Sequence, residues 1–96
     1  NVAGTAFALL PFLAAGHTHK KAGPYQKAVQ GGLNALVKTQ TQVGASKGQF
    51  GSEMYAHCLA VMALGDAFRL TRDPALKGPA QAGVNFLVAA QHDGGG

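Results

Sequence analysis

The chain has 96 residues, 47% hydrophobic and 12% charged, which suits one domain but carries about half the usual charged share of roughly 25%. So little charge predicts that outward-looking faces are covered by neighbouring repeats, an identical chain or lipid. The net charge of +4 comes from scattered Lys and Arg without a recognition motif, which argues against a nucleic-acid partner, and a lone Cys58 excludes an intrachain disulfide.

The first predicted helix, Ala3 to Gly16, is apolar on nearly all sides and reads as buried, with a kink at Pro11, where a backbone donor is missing. Its apolar run, Val2 to Ala15, is 14 residues long, too short to span a bilayer. No basic residue precedes it, so a signal-peptide reading is also disfavoured. A polar connector, His17 to Gly23, leads to Gly23-Pro24, a cap and first-turn pair that predicts the start of a second helix. In that helix Tyr25, Val29, Leu33, Leu36, Val37 and Gln40 form one stripe, with Gln26, Lys27, Gln30, Asn34 and Lys38 opposite, so it is amphipathic with one wet face. Gly31 and Gly32 each weaken it by about 1 kcal/mol relative to Ala, a cost that points to close backbone packing at Gly32. A glycine-rich loop, Thr41 to Glu53, carries Phe50. The third helix, Met54 to about Leu70, is again apolar nearly all round through Tyr55, Leu59, Val61, Met62, Leu64 and Phe68. Arg72-Asp73-Pro74 reads as a turn. Gly78-Pro79 then repeats the Gly-Pro helix start and predicts a fourth helix from Pro79 to Gln91, with Val84, Leu87, Val88 and Gln91 on one face.

The order is therefore a buried helix, an amphipathic helix and a glycine loop, twice over. Gly32-Leu33-Asn34-Ala35-Leu36-Val37-Lys38-Thr39-Gln40 recurs 51 residues later as Gly83-Val84-Asn85-Phe86-Leu87-Val88-Ala89-Ala90-Gln91. A fixed period of this length marks a repeat protein. The expected fold is all-α: one domain over residues 1–96 made of two helical-hairpin repeats (four helices), about 3–50 and 54–96. Starting at Asn1 and stopping at Gly96, the chain is expected to be a piece of a longer protein.

The phrase Gly83-x-x-Phe86-Leu87-x-x-x-Gln91, followed by the Gly94 to Gly96 turn, resembles the QW-like repeat of the squalene cyclase and protein prenyltransferase superfamily. The first copy closes with Gly48-Gln49-Phe50, as that repeat does with Gly-x-Phe or Gly-x-Trp. Met54-Tyr55-Ala56-His57 and the ending Ala89 to Gly95 are similar to the same superfamily. The resemblance implies a partial α/α toroid, with inner and outer helices alternating around a cavity. It also implies that Gln40 and Gln91 tie each helix end to the next repeat's backbone while Phe50 stacks beneath. Gly32, Leu36, Gln40, Gly48, Phe50, Gly83, Phe86, Leu87 and Gln91 are thus expected to be structural.

Neither catalytic centre of that superfamily carries over. The cyclases use an Asp-x-Asp-Asp motif, whereas Asp66, Asp73 and Asp93 stand apart from any other acid. The prenyltransferases bind zinc through Asp, Cys and His. Here His57 and Cys58 are neighbours that point about 100° apart on a helix, and no acid precedes them at the family's spacing. His17 and His19 could offer two ligands from one loop, with His57 or Cys58 completing a tetrahedral site. The plain alternative keeps His17 and His19 as solvated loop residues and His57 and Cys58 as packing residues, and no metal or cofactor is expected. Lys20, Lys21, Arg69, Arg72 and Lys77 occupy equivalent connectors and are expected to form a basic rim, suited to anionic headgroups or an acidic partner or simply solubilising.

The leading expectation is a non-catalytic structural or interaction fragment of a squalene cyclase/prenyltransferase-like toroid. One alternative is a segment of an active polyprenyl (triterpene) cyclase whose acid motif lies elsewhere. The other is a lipid- or protein-binding helical repeat. Expected partners are a second copy or neighbouring repeats, with an isoprenoid lipid or a protein as further candidates. Enzymatic activity of these residues alone is not expected.

Overall fold

The computed structural model describes residues 1–44, 46–51 and 53–93. It is all-α, with four helices in chain order: α1 Val2–Ala14, α2 Gln26–Thr39, α3 Met54–Thr71 and α4 Pro74–Asp93. Among the described residues the sole β feature is an isolated antiparallel bridge between Gln40 and Phe50. α1 and α3 make the most extensive helix–helix contact, α2 packs on α1, and α4 packs on α3. Two hairpins therefore lie side by side with α1 and α3 adjacent, giving a shape of 44 × 24 × 21 Å. The Gly94 to Gly96 turn expected to close the second repeat lies outside the described residues.

The helix ends follow local chemistry. The Asn1 side chain accepts from the Gly4 N–H at 2.6 Å and so caps α1. α1 runs unbroken through Pro11 and stops at Ala15, beside Gly16 with φ +88. α2 begins two residues later than Gly23-Pro24 suggests: Pro24 sits in the turn ahead of it and Tyr25 is the N-cap residue. α3 ends on Arg72, a left-handed residue whose N–H donates to Phe68 O at 2.7 Å and whose guanidinium lies over the Phe68 ring.

The expected start of the fourth helix at Pro79 is wrong by five residues. Asp73 caps the helix through its carboxylate, which accepts from the Ala75 N–H at 3.0 Å, and Pro74 takes the first helical position, where its missing N–H costs nothing. Pro79 lies inside α4. The Asp-Pro pair was the true start signal, and the Gly-Pro pair was a false one.

Two helices read as buried all round are not. α1 buries only Ala6, Leu9 and Leu13 and leaves Phe7 57% exposed. α3 buries Ala56, His57, Leu59, Ala60, Ala63, Leu64 and Ala67, while Tyr55 is 61% and Met62 55% exposed. With few polar residues on either helix, composition conceals which side faces the core. The α4 face of Val84, Leu87, Val88 and Gln91 is also largely open; Leu76 and Gly83 are what α4 buries.

The core joins Leu9, Leu13, Val29, Leu33 and Leu36 of the first hairpin to Ala60, Leu64 and Leu76 of the second, with Phe50 between them. Each fully buried Leu or Phe contributes about 1.5–3 kcal/mol. α2 and α4 also make the same surface hydrogen bond at the same repeat position, Gln30 to Asn34 at 2.8 Å and Gln81 to Asn85 at 3.0 Å. The period is thus visible in side-chain geometry as well as in sequence.

Candidate functional site

A cluster of polar and aromatic side chains lies where the first hairpin's glycine loop meets the second hairpin. Gln40 ends α2 in extended conformation, and its side chain turns inward to 6% exposure. Its amide donates to Gly48 O at 3.0 Å and to Pro79 O at 2.9 Å. One side chain thereby holds its own loop and the neighbouring repeat's outer helix. The loop closes on itself through Thr41 N–H to Gln49 O at 2.9 Å and Gly48 N–H to Thr41 O at 2.8 Å. Gly48 has φ +91, and a Cβ there would collide with the Ala82 carbonyl, so no other residue fits without moving α4.

Phe50 follows and is fully buried. Its N–H donates to His57 Nδ1 at 3.0 Å, and His57 Nε2 lies 2.9 Å from Gly83 O. Nδ1 accepts and the carbonyl cannot donate, so these contacts place the His57 proton on Nε2. The imidazole stacks at a tilt between Phe50, at 5.5 Å, and Phe86, at 5.0 Å. Gly83 admits this stack: a Cβ would sit 2.7 Å from Val61 Cγ2 and 3.2 Å from Phe50 Cε2. Gly32, its counterpart, faces Leu9 in the same way, at 2.8 Å. Gln40, Gly48, Phe50, Gly83 and Phe86 are thus brought together. Leu36 is in the core, Leu87 is half-buried and Gln91 is exposed.

A second polar cluster sits where the two connectors meet. His19, whose side chain is 1% exposed, donates through Nε2 to Asp73 Oδ2 at 2.7 Å, and Lys20 Nζ approaches the same oxygen at 3.7 Å. The His19 hydrogen bond first, then the Ala75 N–H and the Lys20 charge, hold the Asp73 carboxyl below its ordinary range despite partial desolvation. Gln26 donates to His19 O at 3.0 Å, and Thr18 Oγ1 accepts from Lys21 N–H at 3.1 Å. The connector is therefore built around a buried His19, which is not the solvated loop residue that its polar neighbours suggest. His19 Nδ1 is the one buried side-chain polar atom among the described residues without a partner.

The expected basic rim is partly neutralised. Lys20 pairs with Asp73, Arg69 lies 3.8 Å from Asp66, and Arg72 stacks on Phe68; Lys21 and Lys77 are exposed. The four candidate metal ligands are spread apart. His17 packs against Phe12 and Tyr25, His19 is on Asp73, His57 has both ring nitrogens engaged in the core, and Cys58 is half-buried on α3. Among the described residues no three His, Cys, Asp or Glu side chains are grouped to hold a metal ion. The His19–Asp73 pair has the form of a base and its orienting acid, and the His19 side chain is 1% exposed. Both clusters make hydrogen bonds between separate segments of the chain: Gln40 to Pro79, His57 to Phe50 and Gly83, and His19 to Asp73.

Sequence reasoning missed the engagement of His57 and the His19–Asp73 link. Asp before Pro74 was a legible N-cap signal. Nothing in the sequence pairs His57 with Phe50 and Gly83, because three separate segments meet there. No helix among the described residues is long and apolar enough to cross a membrane. The chain matches no protein-family model, no curated protein and no solved structure.

Proposed function

We propose that this chain is a non-catalytic structural module, two hairpin repeats of a squalene cyclase/prenyltransferase-like α/α toroid that serve as scaffold or interaction surface. The observation that carries the reading is the Gln40 latch, in which the amide reaches the Pro79 carbonyl of the next hairpin while Phe50 is buried beside it. In a stacked-repeat scaffold each repeat contacts its neighbours, and this hydrogen bond is a contact of that kind. The placement of the titratable groups supports the same reading. His57 and His19 are occupied in hydrogen bonds between separate segments. Incubating the purified chain with squalene or with farnesyl diphosphate, followed by mass-spectrometric product analysis, is expected to return only starting material. Turnover of either would move the cyclase reading to the front.

One observation favours the binding alternative. Phe7 on α1 and Tyr55 and Met62 on α3 are more than half exposed on the adjacent central helices, and exposed apolar clusters mark contact sites. Native mass spectrometry distinguishes the two readings: a retained isoprenoid-sized adduct supports a lipid-binding repeat, and a bare chain supports the scaffold.

A further inference from the structure

The hairpins are joined by α1 against α3, so α2 and α4 make little direct contact and leave two clefts between them. The first, of about 420 Å³, lies between Gln30, Asn34 and Lys38 of α2 and Asp73, Ala75 and Leu76 at the start of α4. The second, of about 640 Å³, lies between Gln40 and Lys47 on one side and the Gly78 to Ala89 part of α4 on the other. Val37 lines both, so they meet there and form one groove. All the lining residues lie within 30–89, away from both ends of the chain. From Ala75 to Ala89 a helix rises about 21 Å, the length of about six extended residues.

The groove has an apolar base and a polar rim. Val37, Pro79, Ala82 and Phe86 are half-buried in it. On each helix a Gln–Asn pair lines it, with Gln30 Nε2 donating to Asn34 Oδ1 at 2.8 Å and Gln81 Nε2 to Asn85 Oδ1 at 3.0 Å. Such a bond orients both carboxamides and leaves the Gln carbonyl to accept and the Asn amino group to donate. Residues four apart on a helix are about 5–6 Å from each other. Alternate residues of an extended chain are roughly 6–7 Å apart, and each carries one N–H and one C=O. The charge is one-sided: Lys38 and Lys47 line the groove, and Asp73, the one acid lining it among the described residues, is engaged by His19 and Lys20.

We infer that the α2–α4 groove binds an acidic peptide segment in extended conformation. The Gln30–Asn34 and Gln81–Asn85 pairs hydrogen-bond its main chain from opposite walls. Alternate side chains rest on Val37, Pro79 and Phe86, and its carboxylates meet Lys38 and Lys47. This names the partner class of the interaction surface proposed above and rests on that reading.

The test is a fluorescence-anisotropy titration of the full chain against a fluorescein-labelled six-residue peptide that alternates Glu and Val. Binding is expected, and raising the salt concentration is expected to weaken it. Asn34→Leu, Asn85→Leu and Lys47→Gln are each expected to weaken it about three- to tenfold. Lys27→Gln removes an equally exposed charge outside the groove and is expected to leave binding unchanged; thermal melts check that each variant is folded. The same peptide with N-methylated main-chain amides is expected to lose binding, and its Lys–Val counterpart to bind more weakly. No binding of the Glu–Val peptide at millimolar protein overturns the inference, and so does binding that the three groove substitutions leave intact. Equal binding of the N-methylated or the Lys–Val peptide overturns it as well, since neither main-chain pairing nor charge then selects the ligand. Decanoate bound in the groove in place of the peptide overturns it in favour of a small apolar carboxylate. A failed titration leaves the absence of turnover on squalene or farnesyl diphosphate standing, so the two readings fail separately.

Discussion

His57 does the most at the scale of one side chain. It supplies the acceptor for the Phe50 N–H and a donor to the Gly83 carbonyl, and it fills the space between two aromatic rings. Replacing it with Leu keeps the volume roughly constant but strands the Phe50 N–H in a dry site. His57→Leu is expected to destabilise the chain by about 1–3 kcal/mol, read from urea unfolding; an unchanged midpoint would show that Phe50 finds another partner. Asp73 is the residue through which stability depends on acid. Its contacts with His19, the Ala75 N–H and Lys20 favour the carboxylate, so its carboxyl in the folded chain lies below the ordinary range. That stabilisation is complete above the unfolded value of about 4 and is lost as pH falls through the lower folded value. Asp73→Asn keeps a competent helix cap and removes the titrating group. Unfolding curves collected from neutral pH down through about pH 4 are expected to show a shallower loss of stability below that point in Asp73→Asn than in the wild type.

At the scale of an element, the helices are weak on their own and are placed by packing. The glycines of α2 and α4 separate the two effects. Gly31 has open space where a Cβ would go, so Gly31→Ala is expected to stabilise by about 0.4–1 kcal/mol through helix propensity and a less disordered unfolded chain. Gly83 meets Val61 and the buried Phe50 within 3.2 Å, and Val61 is β-branched and stiff. Gly83→Ala is therefore expected to cost about 1–3 kcal/mol by overpacking. Thermal melts of the two variants should move in opposite directions; a common direction would remove the close-approach argument. α4 also shows how a local signal misleads. Gly78-Pro79 has the composition of a helix start, but the carboxylate of Asp73 and the ring of Pro74 supply a better one a turn earlier.

At the scale of the molecule the two hairpins are joined by few polar links, and the Gln40 latch is the one that spans them at the outer layer. Gln40→Met preserves length and removes both donated hydrogen bonds. It is expected to lower stability by about 1–3 kcal/mol and to raise amide exchange in α4 around Pro79 as well as in the 41–50 loop. Exchange that rises in the loop alone would mean that the latch holds the loop and not the neighbouring hairpin.

The sequence by itself determined the all-α class, the number of helices, their pairing into hairpins and the 51-residue period. Those features rest on local periodicity and on repetition, which one strand of text carries. It also singled out Gln40, Phe50 and Gly83 as members of a recurring phrase. Only the tertiary structure decided which sides of α1 and α3 are buried, because helices with little polar surface have no contrast from which to read a face. It likewise decided that His19 belongs to Asp73, 54 residues away, and that His57 is shared between Phe50 and Gly83. Such partners are chosen by distance in space, which spacing along the chain does not encode.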